Sequence, residues 1–229
     1  MSVEAVLFDF HGTIAQVEPE LDWVLAAAAA CGVTVDPARA TALADQLITA
    51  GRAGGPLPAK VPLHLAEAWA DRDLSGSAHR AAYSGLAATI DSEIPGLADA
   101  LYDRLLQASG WQVYEDVAPT MKALVEAGIG VAVVSNIGFD IRTICDDLGF
   151  GSYVGGWALS FEVGRCKPDP EIFRHACDAL GVAPQRALMV GDTPADAGAV
   201  KAGCRALILP ESPVGATHGL GAVLSLALG

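Results

Sequence analysis

Short apolar runs alternate along most of the chain with longer segments in which apolar residues recur at helical spacing. Nearly continuous apolar runs are typical of parallel strands covered by helices on both faces, and the alternation predicts an α/β protein. The runs predict strands at Ala5–Asp9, Gly130–Ser135, about Gly156–Ser160, Ala187–Gly191 and Arg205–Leu209. Between and after them, helices are predicted at Pro119–Ala127, Asp140–Leu148, Pro170–Leu180 and Thr193–Ala202, and near Gly221–Ala227.

The segment between Glu18 and Trp111 has a different pattern, with no convincing strand. It contains helical stretches separated by loops rich in small residues and proline. These helices are predicted at Glu20–Cys31, Pro37–Ala50, Leu63–Ala70, Ser77–Thr89 and Ile94–Ala108. We therefore predict a core made of residues 1–17 and 112–229, and an all-helical insertion at residues 18–111 that follows the first strand.

The composition narrows the classes of partner. The chain has 229 residues, of which 52% are hydrophobic, and a formal net charge of -13. This acidic balance argues against nucleic acid or an anionic membrane as a partner, so an anionic substrate needs a local cation or a metal ion. The first residues lack a secretory pattern, and the five cysteines are widely spaced, as reduced thiols are. We expect a cytoplasmic protein, either a monomer or a homodimer.

Polar residues of chemical interest follow the predicted strands. Because open parallel sheets bind ligands at the carboxyl ends of their strands, these residues are expected to meet at one edge of the sheet. Most of them end a strand directly, one lies a helical turn further on, and one lies in the loop "GRCKPDPEIF" after the third strand of the core. They are Asp9, Ser135, Asn136, Asp192, Asp196 and Lys167.

This set of side chains is suited to phosphate chemistry. Carboxylates at positions 9, 192 and 196 repel one another unless Lys167 or a hard divalent cation neutralises them, and oxygen ligands suit Mg²⁺. With a cation, an ammonium group and a hydroxyl at hand, Asp9 can accept a phosphoryl group as a nucleophile. Each signal is weak alone, since a strand-end Asp is often a cap and "KPDP" is also a helix start.

The four segments "FDFHGT", "VVSN", "KPDPEIF" and "GDTPAD" resemble, in order, the four motifs of the haloacid dehalogenase-like hydrolase superfamily. The helical insertion after the first motif resembles the C1-type cap of that superfamily. The resemblance covers essentially the whole chain, although the cap matches only in position and helical character. It implies a Rossmann-like, doubly wound parallel sheet core and a phosphatase that acts on a small phosphorylated metabolite with Mg²⁺.

The resemblance also implies a role for each motif residue. Asp9 would be the covalent nucleophile, Ser135 and Lys167 would bind the phosphoryl group, and Asp192 would bind Mg²⁺ with support from Asp196. Asp9 and the backbone carbonyl of His11 would complete the metal ligands. Thr13 would orient the loop and the phosphate, or alternatively satisfy the turn after Gly12. Asn136 would donate a hydrogen bond at the substrate, or alternatively cap the next helix.

His11 departs from the pattern of the superfamily. Its phosphatases usually have a second Asp two residues after the nucleophile, which protonates the leaving group and later activates water. Three interpretations are open here. His11 takes over this acid and base role; or His11 is inert and the substrate has a leaving group that needs little protonation; or the chain is a metal-independent dehalogenase. Because "GDTPAD" keeps Asp192, Mg²⁺ and phosphate are favoured, and a non-enzymatic binding protein is the competing class.

Overall fold

The computed structural model describes residues 2–210, 212–213 and 216–229. The chain divides into two compact units. Met1–Gln16 together with Gln112–Gly229 form the first, called the core unit below, and Val17–Trp111 form the second, called the helical unit.

The strands of the described residues are short. They are β1 (Ala5–Phe8), β2 (Ala15–Val17), β3 (Trp111–Val113), β4 (Gly130–Ser135), β5 (Gly156–Leu159), β6 (Ala187–Gly191) and β7 (Arg205–Ile208). Five of them form a parallel sheet with the order β5-β4-β1-β6-β7, in which Phe8 of the central strand is paired with Val133 and Val190. β2 and β3 form a separate two-stranded sheet.

The helices of the described residues are divided between the two units. The helical unit contains α1 (Glu20–Ala30), α2 (Pro37–Ala50), α3 (Ala66–Asp71), α4 (Gly76–Ala87) and α5 (Leu97–Leu105). The core unit contains α6 (Val117–Glu126), α7 (Arg142–Asp147), α8 (Ser160–Val163), α9 (Pro170–Leu180), α10 (Ala199–Ala202) and α11 (Gly221–Leu228). No helix in the described ranges has the length and apolar character that crossing a bilayer requires.

The core of the first unit explains why its strands are almost wholly apolar. One face of the sheet, including Leu7 and Val134, packs against α9 through Ile172, Phe173 and Ala176, all of which are fully buried. Asp169 starts α9 by accepting a hydrogen bond from the Glu171 amide, with Pro170 in the first turn. α6 packs against β4, and α11 packs against α6. The strand ends are thereby held at a rigid edge.

The helical unit has its own apolar core. α1 packs against α2 and α5, and α4 packs against α3 and α5. Trp23, Leu43, Leu47 and Leu101 are buried in this core, together with Ala27 and Ala28 of α1. Small alanine side chains permit close approach of neighbouring helices while favouring helix formation. Arg104 also contributes, because its guanidinium donates two hydrogen bonds of 2.7 Å to the Glu18 carboxylate.

The predicted α/β fold with a parallel sheet is confirmed, and each predicted strand lies within one residue of a strand in the structure. β2 and β3 were not predicted, because three residues are too few to establish an alternating pattern. The predicted helix over residues 193–202 was wrong in its first half. Asp196–Gly198 form a single 3₁₀ turn before α10, because the Asp196 side chain binds the Thr193 amide and holds the chain in a loop there.

Other helix and strand boundaries differ by a few residues from those predicted. Residues 63–65, predicted as helix, form a 3₁₀ turn that precedes α3. The helix predicted from Ile94 begins instead at Leu97, because Gly96 at its N-terminus has φ 81°, a left-handed conformation that interrupts the helix. Ser160, predicted as the end of a strand, begins the short helix α8.

Leu7 offers a test of the core. Because its side chain is fully buried in the central strand, we expect Leu7→Ala to lower the free energy of unfolding by about 2–5 kcal/mol. Urea unfolding followed by circular dichroism measures this loss. Leu226→Ala is the matched control, since Leu226 is 53% exposed and its truncation should change stability by only about 0.5 kcal/mol. Equal losses for the two variants would contradict this description of the core.

Candidate active site

The loop after β1 holds the Asp9 carboxylate at the edge of the sheet. The Asp9 amide donates to the carbonyl of Val190 in the neighbouring strand at 2.9 Å, and the Phe10 amide donates to Asp9 Oδ1 at 2.7 Å. Gly12 has φ +90°, and a Cβ at this position would overlap the Asp192 carboxylate. Glycine is therefore required for Asp192 to approach the loop.

Lys167 connects two carboxylates. Its Nζ lies 2.6 Å from Asp9 Oδ1 and 2.7 Å from Asp196 Oδ1, and all three residues are at least nine-tenths buried. Charge-assisted hydrogen bonds of this length are strong, and they compensate for removing three charges from water. The ammonium group is thus fixed beside the first strand end.

The side chain of Asn136 fixes the backbone of Lys167, the residue that carries this ammonium group. Its Nδ2 donates to the carbonyl oxygen of Lys167 at 3.0 Å, and its Oδ1 accepts from the Lys167 amide at 2.6 Å. The alternative that Asn136 caps the following helix is not seen in the described residues, because α7 begins six residues later without a side-chain cap. Ser135 precedes Asn136 at the end of β4, the neighbour of β1, and is 3% exposed.

The loop after β6 supplies the remaining carboxylates. Asp196 Oδ2 accepts hydrogen bonds from the Thr193 amide at 3.0 Å and from Thr193 Oγ1 at 2.6 Å. A Cβ at Gly191 would overlap the Asp196 side chain, so glycine at the end of β6 makes room for it. Because Lys167 contacts Oδ1 and Thr193 contacts Oδ2, both carboxylate oxygens of Asp196 accept hydrogen bonds from the protein. Sequence reasoning missed Thr193, although it stands inside the quoted segment "GDTPAD".

Thr13 and His11 complete the first loop. Thr13 is fully buried, and its Oγ1 donates to Asp192 Oδ1 at 3.3 Å. His11 is partly buried, and its backbone forms an isolated β-bridge with Ala15. Contacts of hydrogen-bond length thus link Asp9, Lys167 and Asp196. Thr13 contacts Asp192, which has a carboxylate oxygen within 4.8 Å of those of Asp9 and Asp196.

Burial and neighbouring charges shift the pKa values of the cluster. Burial is the main cause that raises the pKa of Asp9 from 3.8 to about 7; Lys167 opposes the rise and Asp196 adds to it. Burial alone would lower the pKa of Lys167, but Asp9 and Asp196 outweigh it and the pKa lies above its usual value. Burial, followed by the charge of Asp196, raises the pKa of Asp192.

The same carboxylates form a group that could hold a metal ion. Asp9, Asp192 and Asp196 each present one oxygen, and these atoms lie within 4.8 Å of one another. Carboxylate oxygens are the ligands that Mg²⁺ prefers, and a divalent cation would relieve their mutual repulsion. Because Asp196 is already engaged by Lys167 and Thr193, Asp9 and Asp192 are the better-placed ligands.

Comparison with known proteins identifies the family of the chain. Residues 3–203 match the family described as haloacid dehalogenase-like hydrolase. The chain belongs to this family. The description of the family is that of hydrolases, and the relatives of the chain include phosphatases.

Individual relatives match part of this hydrolase. It is 37% identical over 97 residues to the haloacid dehalogenase-like hydrolase domain-containing protein 3 of Mus musculus, covering 42% of this chain and 39% of the relative. It is 50% identical over 62 residues to a phosphoserine phosphatase of Thermus thermophilus, covering 24% and 25%. The chain therefore spans less than half the length of these curated relatives.

A solved structure extends the likeness over the whole fold. The crystal structure of a dehalogenase has a TM-score of 0.65 and 23% sequence identity, with 98% of this chain and 97% of that chain covered. At this level of identity, the similarity concerns the fold alone.

Lys167→Met tests the electrostatics of the cluster. Since Lys167 lowers the pKa of the Asp9 carboxyl, its removal is expected to raise that pKa above the value of about 7 in the metal-free wild type. The carboxyl resonance of Asp9 in ¹³C-aspartate-labelled protein measures the change as pH is varied. Arg165→Met, two residues earlier on the exposed side of the loop, is the control. An unchanged or lower Asp9 pKa in Lys167→Met would contradict the assignment.

Proposed function

We propose that this chain is a Mg²⁺-dependent phosphatase that hydrolyses a small phosphorylated metabolite through an aspartyl-phosphate at Asp9. The observation that carries the proposal is the ammonium of Lys167 held 2.6 Å from the Asp9 carboxylate, with Asp192 and Asp196 beside it. A nucleophilic carboxylate next to a fixed positive charge is suited to an incoming phosphoryl group. Phosphatases among the partial relatives support the same reaction class.

In the proposed reaction, a carboxylate oxygen of Asp9 attacks phosphorus, and the bond between phosphorus and the leaving oxygen breaks. The leaving oxygen takes up a proton. Water then attacks the same phosphorus, which releases inorganic phosphate and restores the Asp9 carboxylate. Lys167 offsets charge on the transferring oxygens, while Ser135, Thr13 and Asn136 bind or orient the phosphoryl group.

The metal ligands we propose are Asp9, Asp192 and the backbone carbonyl of His11, with Asp196 in support. When bound, Mg²⁺ supplies positive charge that stabilises the transferring phosphoryl group. A backbone carbonyl serves whichever side chain is present, so histidine in place of aspartate at position 11 is compatible with this ligand set. Asp196 holds Lys167 in place through its 2.7 Å contact.

We further propose that the helical segment at residues 18–111 acts as a C1-type cap on the core formed by residues 1–17 and 112–229. A cap that covers the substrate excludes water and strengthens the electrostatic interactions of the site. An enclosed site suits a small metabolite. We also propose a cytoplasmic protein that is a monomer or homodimer. The acidic net charge supports the proposal that it binds neither nucleic acid nor membranes.

His11 is the proposed acid and base. An imidazole can protonate the leaving oxygen in the first step and accept a proton from water in the second, at ordinary pH. The competing interpretation is an inert His11 with a substrate that has a good leaving group. A metal-independent dehalogenase is the second candidate function, favoured by His11 in place of the second aspartate.

Asp9→Asn tests the proposed nucleophile. We expect it to abolish hydrolysis in a screen of phosphorylated metabolites with Mg²⁺, because an amide cannot form the aspartyl-phosphate. Asp140→Asn, which replaces an exposed carboxylate of the core unit, is the matched control and should retain activity. Hydrolysis by Asp9→Asn at the wild-type rate would rule out Asp9. Halide release from a haloacid after removal of divalent metal would favour the dehalogenase instead.

His11→Ala tests the acid and base role. If His11 protonates the leaving oxygen, its loss should reduce kcat for alkyl phosphates by about 10²–10⁴-fold, and much less for activated aryl phosphates. Steady-state kinetics with a series of leaving groups measures the difference. His64→Ala, which removes an exposed histidine from the helical unit, serves as the control. Equal losses with good and poor leaving groups would count against His11.

A further inference from the structure

A buried histidine near the C-terminus lies outside the chemistry described so far. His218 is 2% exposed, and each nitrogen of its ring faces a backbone carbonyl oxygen. Nδ1 lies 3.0 Å from the oxygen of Thr13, and Nε2 lies 3.0 Å from the oxygen of Pro210. The ring therefore connects the loop of the proposed nucleophile with the segment that follows β7.

The surroundings of His218 hold its ring in one orientation. The Asp116 carboxylate accepts hydrogen bonds of 2.8–2.9 Å from the amides of His218, Gly219 and Leu220. The ring of Tyr114 lies against the imidazole, with 4.4 Å between the centroids. Tyr114 also donates its amide to the carbonyl of Ile14 at 3.2 Å, so the same cluster contacts the loop twice.

The contact from His218 reaches Thr13, a residue that is itself hydrogen-bonded to the proposed metal site. The Thr13 side chain donates a hydrogen bond to Asp192, a proposed metal ligand, and Thr13 is fully buried. Within the loop, the amides of Ile14 and Ala15 both donate to the carbonyl of Phe10. The carbonyl of Thr13 points instead to His218, so the orientation of the Thr13 peptide group depends on a residue some two hundred positions away in the sequence.

We propose that His218 is a positioning residue for phosphoryl transfer, a role that rests on the proposed function. Its Nδ1–H donates to the Thr13 carbonyl and fixes the peptide that orients the Thr13 hydroxyl and the loop behind Asp9. A carbonyl oxygen only accepts hydrogen bonds, so the contact with Thr13 requires a proton on Nδ1, and this is the ring contact that reaches the loop of the site. Groups that orient ligands from outside the site are commonly worth 10–100-fold in activity, to order of magnitude.

Substituting His218 by asparagine or by glutamine tests the two contacts of the ring separately. The Nδ2 of asparagine is positioned like the Nδ1 of histidine, whereas the Nε2 of glutamine is positioned like Nε2. His218→Asn therefore keeps the donor to Thr13, and His218→Gln keeps the donor to Pro210. We expect His218→Ala and His218→Gln to lower kcat/KM for a phosphate ester by about 10–100-fold, and His218→Asn to retain most of the activity. His175→Ala, on the exposed side of α9, is the control.

A second readout does not depend on turnover. Hydrogen exchange of the Ile14 and Ala15 amides should accelerate in His218→Ala and His218→Gln, but not in His218→Asn. In ¹⁵N-histidine-labelled wild type, the Nδ1 resonance of His218 should be that of a protonated nitrogen. Equal effects of the asparagine and glutamine variants on both rate and exchange, or an unprotonated Nδ1, would overturn the proposal.

The two readouts also distinguish this proposal from the proposed function. If the wild type hydrolyses no phosphate ester, the proposed function fails, while the exchange rates and the Nδ1 resonance still decide whether His218 holds the loop. If phosphate esters are hydrolysed and all three His218 variants match the wild type in rate and exchange, the phosphatase assignment stands and the positioning role is wrong.

Discussion

The interaction on which the site depends is the buried ion pair that Lys167 forms with Asp9 and Asp196. Charges are expensive to bury, and the cost is offset only when geometry is good and every partner is hydrogen-bonded. The surrounding residues meet that condition from several directions. Asn136 fixes the backbone of Lys167, and Thr193 satisfies the second oxygen of Asp196. Removing Lys167 would leave two buried carboxylates without their shared positive partner.

The order of the strands explains how this cluster is assembled. β1 is central, with β4 on one side and β6 on the other, so the carboxyl ends of three neighbouring strands meet at one edge. Asp9 follows the first of them, Ser135 ends the second, and Asp192 follows the third. Glycines at positions 12 and 191 allow the carboxylates after β6 to approach, because a Cβ there would occupy their place. The strand order thus brings the carboxylates to one edge of the sheet, and the two glycines leave room for their side chains.

The sequence predicted the sheet and the members of the cluster well, because both depend on local signals. Buried parallel strands are continuous apolar runs, and polar residues at their ends are visible by position. The parts that were missed depend on contacts between distant loops. The hydrogen bonds of Asn136 with the Lys167 backbone join residues that are 31 positions apart in the sequence. The contact of His218 with Thr13 joins residues that are 205 positions apart. Side-chain to backbone hydrogen bonds of this kind leave no periodic trace, so only the fold reveals them.

The central claim is that Asp9 carries the phosphoryl group, and trapping that intermediate tests it most directly. Borohydride added during turnover of a phosphate ester reduces an acyl phosphate to an alcohol, which would convert Asp9 to homoserine. Mass spectrometry of the peptide that contains residue 9 should then show the modification only when substrate is present. Turnover without modification at Asp9, or with the modification at a different carboxylate, would contradict the account.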